Sequence, residues 1–434
     1  MYQEVSKLLI YSNISNDSIL YKMSDIFKEY ELDNYNKEDL IRKIYNQIRR
    51  LLEIATDYGF DKNLWHNYIT YLLITTEDPF SVTCEKVGAN KGSVNLLAEG
   101  DFDAFYKIFN YDFSDIEKKL GINVFSVISD YDAIKKKDLM YNKNVSTKVQ
   151  ILSLKLEAAK NGKNFYNEVT NFYKAYGVGM YGLNKAFRIK ETSNGVDLIP
   201  INNMEIVTLD DLIGYDIQKK KLIENTKAFV EGRKANNCLL YGDSGTGKST
   251  SIKSIVNMYY DDGLRMIEIY KHQFKDLSTV ISMIKNRNYK FIIYMDDLSF
   301  EEFEIEYKFL KAVIEGGVET KPDNILIYAT SNRRHIIKET WSDRDDVKTD
   351  NGIHKSDTME EKLSLVNRFG CQIYFGKPGK FEFEDIVVNL AKKNNIKLSK
   401  KELLMEANKW EIAHGGFSGR TAQQFINYCL SLEF

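Results

Sequence analysis

The chain is poor in the residues that usually announce a special chemistry. Its four cysteines, Cys84, Cys238, Cys371 and Cys429, are scattered and contain no Cys-x-x-Cys pair. That argues against a disulfide scaffold or a zinc knuckle and fits reduced, mostly buried thiols. The five histidines are isolated and lack metal-ligand spacing, so no structural metal is expected. No apolar run reaches the length of a membrane span, and the start, Met1-Tyr-Gln-Glu-Val, has no signal pattern. The expectation is a cytoplasmic chain with no membrane partner. A formal net charge of −2 argues against whole-molecule attraction to nucleic acid, while leaving room for local basic patches. With 434 residues, 43% hydrophobic and 28% charged, the chain has the composition of a globular protein of two or three domains.

Hydrophobic periodicity divides the chain. Residues 1–176 read as a mainly α-helical domain, best seen in Lys37–Tyr58, where Leu40, Ile41, Ile44, Ile48, Leu51, Leu52 and Ala55 repeat at helical spacing. Weaker helical patterns cover Trp65–Ile74, Val94–Phe109, Phe113–Leu120 and Val149–Tyr176. Residues 177–204 carry Gly177, Gly179, Gly182 and Gly195 among short β-prone runs, Ala186–Ile189 and Val196–Ile201, and read as a hairpin or connector. Residues 205–376 alternate apolar strands with helical patterns, the mark of a parallel α/β sheet. The strands are expected at Cys238–Tyr241, Arg265–Tyr270, Lys290–Met295, Asn324–Thr330 and Gln372–Phe375. Residues 377–434 return to helix at Glu384–Asn394, Lys400–Ala413 and Thr421–Leu432. Trp341–Glu361 is polar and without pattern, as an exposed loop would be.

What is present is a phosphate-binding loop. Gly242-Asp243-Ser244-Gly245-Thr246-Gly247-Lys248-Ser249, followed by Thr250, has the spacing Gly, four residues, Gly-Lys-Ser. Its glycines let the backbone curl so that N–H groups converge on phosphate oxygens. Lys248 brings a positive charge, and Ser249 offers a hydroxyl to magnesium. A strand precedes the loop and a helix, Lys248–Tyr259, follows it, so the helix N-terminus adds its partial charge.

A second run, Phe291-Ile-Ile-Tyr-Met-Asp-Asp297, ends an apolar strand in two carboxylates at the sheet edge where ligands bind. Asp296 is expected to hold magnesium opposite Ser249, and Asp297 to act as general base on water. Asn332 follows the next strand and suits a contact to the γ-phosphate or to that water. Arg368, just before the last strand, suits a neighbouring subunit's nucleotide. Arg420 opens the last helix and suits the phosphates from a lid. Ile213-Gly214, upstream of the loop, suits adenine. Asn332, Ile213 and Gly214 also read as turn residues, and Arg368 and Arg420 as surface arginines.

Taken together, these motifs resemble those of an AAA+ ATPase: Walker A at Gly242–Ser249, Walker B at Asp296-Asp297, sensor 1 at Asn332, arginine finger at Arg368 and sensor 2 at Arg420. Asp296-Asp-Leu-Ser-Phe-Glu301, Ala329-Thr-Ser-Asn-Arg-Arg334 and Ser418-Gly-Arg-Thr-Ala422 narrow the resemblance to the domain-of-unknown-function 815 family. The resemblance implies a parallel-sheet phosphate-loop core with a C-terminal helical lid, ATP and Mg2+ as cofactors, and hydrolysis in a homo-oligomer with Arg368 acting in trans. The sequence departs at Asp297, where most AAA+ proteins carry Glu, which puts the hydrolysis rate in question and leaves Glu301 or Glu302 as alternative bases. The expected role is remodelling or assembly of a protein client. The alternatives are a nucleotide switch on nucleic acid, for which Arg42–Arg50 and Lys135–Lys143 are the basic stretches, and a small-molecule kinase. No aromatic-apolar-Gly pore loop occurs in Tyr270–Leu277, which disfavours threading.

Overall fold

The computed structural model describes residues 1–90, 92–133, 143–192, 195–202, 204–299, 306–315, 322–332 and 365–432. The loop read at Trp341–Glu361, the alternative bases Glu301 and Glu302, and most of Lys135–Lys143 lie outside them. Two compact units result, Met1–Asn184 and Lys185–Phe434. Residues 177–204, read from the sequence as a connector, divide between them.

The first unit is helical. Its longest helix, Lys37–Tyr58, starts where the Asn36 side chain accepts from Asp39 N and stops at Gly59, which turns left-handed at φ +65°. Leu40, Ile44, Ile48, Leu51 and Ala55 bury its apolar face. Aromatic rings fill much of this core: Phe113 stacks on Phe125 with centroids 4.4 Å apart, and Tyr11 meets Phe102 and Phe105 edge-on. The helical pattern over Val149–Tyr176 corresponds to two helices, Lys143–Glu157 and Gly162–Tyr176. The break has two causes. Asn161 caps the second helix by accepting from Asn164 N, and Gly162 packs so closely that a Cβ would lie 2.8 Å from the Cα of Asp103. Helices at Ile19–Glu31 and Pro79–Val87 escaped the sequence reading, although Ile19, Met23, Ile26, Phe27 and Tyr30 repeat at helical spacing in the first.

The second unit is built on a sheet of β1 (Ala186–Thr192), β2 (Gly195–Pro200), β3 (Cys238–Gly242), β4 (Leu264–Glu268), β5 (Lys290–Met295), β6 (Ile325–Ser331) and β7 (Cys371–Phe375). The order is β2-β1-β4-β5-β6-β3-β7. All pairings are parallel except β1 with β2. The hairpin thus extends the sheet, with Ala186 opposite Met266 and the Arg188 guanidinium 2.6 Å from Glu268. β6 is buried along its whole length, as a central parallel strand should be. The helices Lys380–Lys393, Lys400–Ala413 and Gly419–Ser431 close around Phe383, Val387, Leu403, Phe425 and Ile426 as a separate small core.

One polar group in the sheet is held tightly. Tyr328 is fully buried, and its hydroxyl meets Thr226 Oγ1 at 2.8 Å and Asn225 Nδ2 at 3.0 Å. Tyr328→Phe removes both bonds, while Thr226 Oγ1 keeps Leu222 O and Asn225 Nδ2 keeps Asn236 O, so unfolding in urea should show stability lowered by about 1 kcal/mol with an unchanged slope.

Candidate functional site

The phosphate loop leaves β3 at Gly242, and the local packing demands glycine there. Its φ is +132°, and a Cβ would sit 2.1 Å from the Phe375 carbonyl oxygen of β7. The same carbonyl accepts from Asp243 N at 3.0 Å, while Asp243 Oδ2 accepts from Lys377 N at 3.0 Å. The loop is therefore seated on the end of the edge strand. Gly247, at φ +90°, precedes the helix Lys248–Tyr259, and Leu212 fills the space where its Cβ would point. Ser244–Thr246 curve between these two glycines.

Lys248 folds back over the loop. Its ammonium donates to Gly242 O at 3.0 Å, Asp243 O at 2.6 Å and Asn332 Oδ1 at 3.1 Å. Burial pushes the amine below its ordinary pKa, and the nearby Asp243, Asp297 and Asp296 carboxylates pull it back. The other end of the Asn332 amide, Nδ2, donates to Asp297 Oδ1 at 2.8 Å. Asn332 thus bridges the cation and the second acid. Asp297 itself adopts φ +50°, a left-handed conformation that aspartate tolerates better than most residues. Its N–H is fixed to Thr330 Oγ1 at 2.9 Å.

Asp296 sits where three segments meet. Its Oδ1 accepts from Ser249 Oγ at 2.8 Å and from Thr330 Oγ1 at 2.6 Å. Burial would raise the Asp296 pKa, but the bonds from Thr330 and Ser249 outweigh it and hold the carboxyl below its usual range. Thr330 was not singled out from the sequence. A hydroxyl inside the apolar run of β6, two residues before Asn332, was the available signal.

Lid and core share a cleft of about 700 Å³ that Ser244–Thr250, Asp296, Asp297, Asn332, Ile213 and Arg420 help to line. Arg420 N donates to Gly245 O at 3.2 Å, and its guanidinium lies 3.4 Å from Ser244 Oγ. Lys393 of the lid pairs with Asp211 and holds that carboxyl below its ordinary pKa. Val207, Leu212, Ile386 and Leu390 give the cleft apolar walls. Gly214, at φ +78°, shapes the turn next to Ile213. Arg368 lies before β7 and is not among the residues lining the cleft. Of the basic stretch Arg42–Arg50, Arg42 pairs with Asp39, Lys43 with Glu29 and Asp39, Arg49 with Glu53 and Arg50 with Asp17.

Among the described residues no three His, Cys, Asp or Glu side chains gather into a metal cage. The Ser249 hydroxyl beside the Asp296 carboxylate instead fits Mg2+, which keeps several waters and takes one or two protein oxygens together with phosphate.

Thr330→Val removes one of the two donors that hold Asp296 ionised. A carboxylate with a depressed pKa keeps its charge until the pH falls through that lowered value. Metal-dependent nucleotide binding should therefore stay level between about pH 5 and pH 8 in the native protein. In the valine variant it should weaken about tenfold and begin to fail at a higher pH, which a calorimetric titration series will show.

No curated protein matches the chain. A RuvB mutant of Thermotoga maritima is 16% identical over 50% of this chain and 62% of its own, with a TM-score of 0.35. The match spans less than two thirds of that relative. The FIGL-1 AAA domain in complex with ADP is 18% identical over 53% of this chain and 74% of its own, with a TM-score of 0.37. Neither likeness bears on activity or partners. The phosphate loop after β3, the parallel order β4-β5-β6-β3-β7 and the helical lid together make an AAA+ fold. The family model described as a protein of unknown function, DUF815, matches residues 183–432, more than half of the chain, and the chain belongs to that family.

Proposed function

We propose that the protein binds Mg-ATP in the cleft between sheet and lid, hydrolyses it, and couples turnover to the remodelling or assembly of a protein partner. The observation that carries this reading is the continuous chain of contacts Lys248–Asn332–Asp297 beside Ser249–Asp296–Thr330, laid over a glycine-rich loop at a helix N-terminus. Phosphoryl transfer asks a protein for position and charge neutralisation, and these groups supply both.

In this mechanism the loop amides and Lys248 hold the β- and γ-phosphates. Ser249 and Asp296 hold magnesium, which supplies positive charge against the phosphate oxygens. Asp297, fixed through its N–H and through Asn332, accepts the proton of the attacking water. Arg420 reaches the phosphates from the lid. The apolar walls around Ile213 and Leu390 accept the base. Arg368, outside the cleft of its own chain, completes the site of a neighbouring protomer. Threading of a client finds no support: the segment Tyr270–Leu277 forms a short helical turn at Lys271–Asp276 and carries no aromatic-apolar-Gly motif.

Three variants test the scheme. Lys248→Ala should abolish ATP binding in calorimetry, and unchanged affinity would overturn the site. Asp297→Asn should keep nucleotide affinity and lose roughly 100-fold or more of the hydrolysis rate. Arg368→Ala should lower turnover only in the assembled protein, so equal specific activity of native monomer and oligomer would remove the trans role.

A further inference from the structure

Tyr294 lies on β5, two residues before Asp296. It is 1% exposed, surrounded by apolar neighbours such as Ile292, Leu326 and Met266. Phenylalanine would fill this space equally well. Yet the residue carries a hydroxyl, and that hydroxyl is buried without a hydrogen-bond partner. Two residues before Asp296, it shares that residue's face of β5, and its hydroxyl lies close to Asp296, Ser249 and Thr330, the groups of the proposed cation site, without reaching hydrogen-bond geometry to any of them. Orphaned buried hydroxyls are costly and rare, and one aimed at a polar cluster calls for an explanation.

The neighbouring bonds narrow the explanation. Ser249 and Thr330 both donate to the same oxygen, Oδ1 of Asp296. The phenol has one proton to donate and lone pairs to accept with. A divalent cation held by Ser249 and Asp296 keeps part of its water shell, and that shell needs partners from the protein side. Resting on the function proposed above, we infer that Tyr294 is a positioning residue for the divalent cation. Its hydroxyl makes its missing hydrogen bond to the Asp296 carboxylate or to a water of the hydrated cation once the cation is held. The strand thereby sets cation affinity from beneath the site, without touching the nucleotide.

The test uses the full chain and Tyr294→Phe, with ATP titrated in EDTA and then across Mg2+ concentrations. Metal-free ATP affinity should be unchanged, and the Mg2+ concentration for half-maximal ATP tightening should rise about three- to tenfold. The melting temperature in EDTA should stay level or rise, because the variant removes an unpaired polar group, while the extra stabilisation by Mg-ATP should shrink. A half-saturation within twofold of the native value overturns the inference. So does a melting temperature in EDTA that falls together with metal-free affinity, since that marks a packing role. Failure of the native protein itself to bind Mg-ATP overturns the functional reading and this inference with it.

Discussion

Much of the site depends on one carboxylate oxygen. Oδ1 of Asp296 accepts a hydroxyl proton from the helix that follows the phosphate loop and another from β6, while its own residue ends β5. Three segments distant in sequence are thereby held in register at one atom. Because Thr330 also accepts from Asp297 N, the same hydroxyl positions the first acid through its proton and the second through its lone pair. A packed parallel sheet supplies the rigidity that makes such bonding stable: the strands are buried along nearly all their length and cannot slide without exposing apolar side chains.

How much of this could be read beforehand varies by element. The helix Lys248–Tyr259 and the strand Lys290–Met295 were legible to the residue, since the loop motif and an unbroken apolar run mark their limits. The break after Glu157 was hidden, because apolar spacing continues across it and only Asn161 and Gly162 signal a new start. The hairpin was legible as strands but not as sheet: pairing with β4 joins residues 80 positions apart, as the Arg188–Glu268 bond does, and periodicity does not encode partners. Among residues of the candidate site, the glycines, the lysine and the paired acids follow a fixed spacing and were read in advance. Thr330 and Tyr294 were not, since in a buried strand they pass for ordinary core residues. Leu212 is equally silent, and only its packing over Gly247 gives it a place beside the loop.

The lid and the core also meet through few but specific contacts. Arg420 is anchored by its own backbone N–H to Gly245 O, and the lid's first helix reaches back to the turn before the sheet through Lys393 and Asp211. Ile213 from that turn packs into the lid core. The segment 208–215 is therefore clasped by the lid while Leu212 lies over the loop.

The seat of Gly242 on the carbonyl of Phe375 has a mechanical consequence. β7 is the outermost strand on its side of the sheet, and it begins three residues after Arg368 and ends at Phe375. Five extended residues span about 17 Å. The turn that holds Arg368 thus precedes one end of this strand, and the floor of the phosphate loop lies at the other. Because β7 pairs with β3 along its whole length, a shift of this sheet edge would reach the floor of the loop directly.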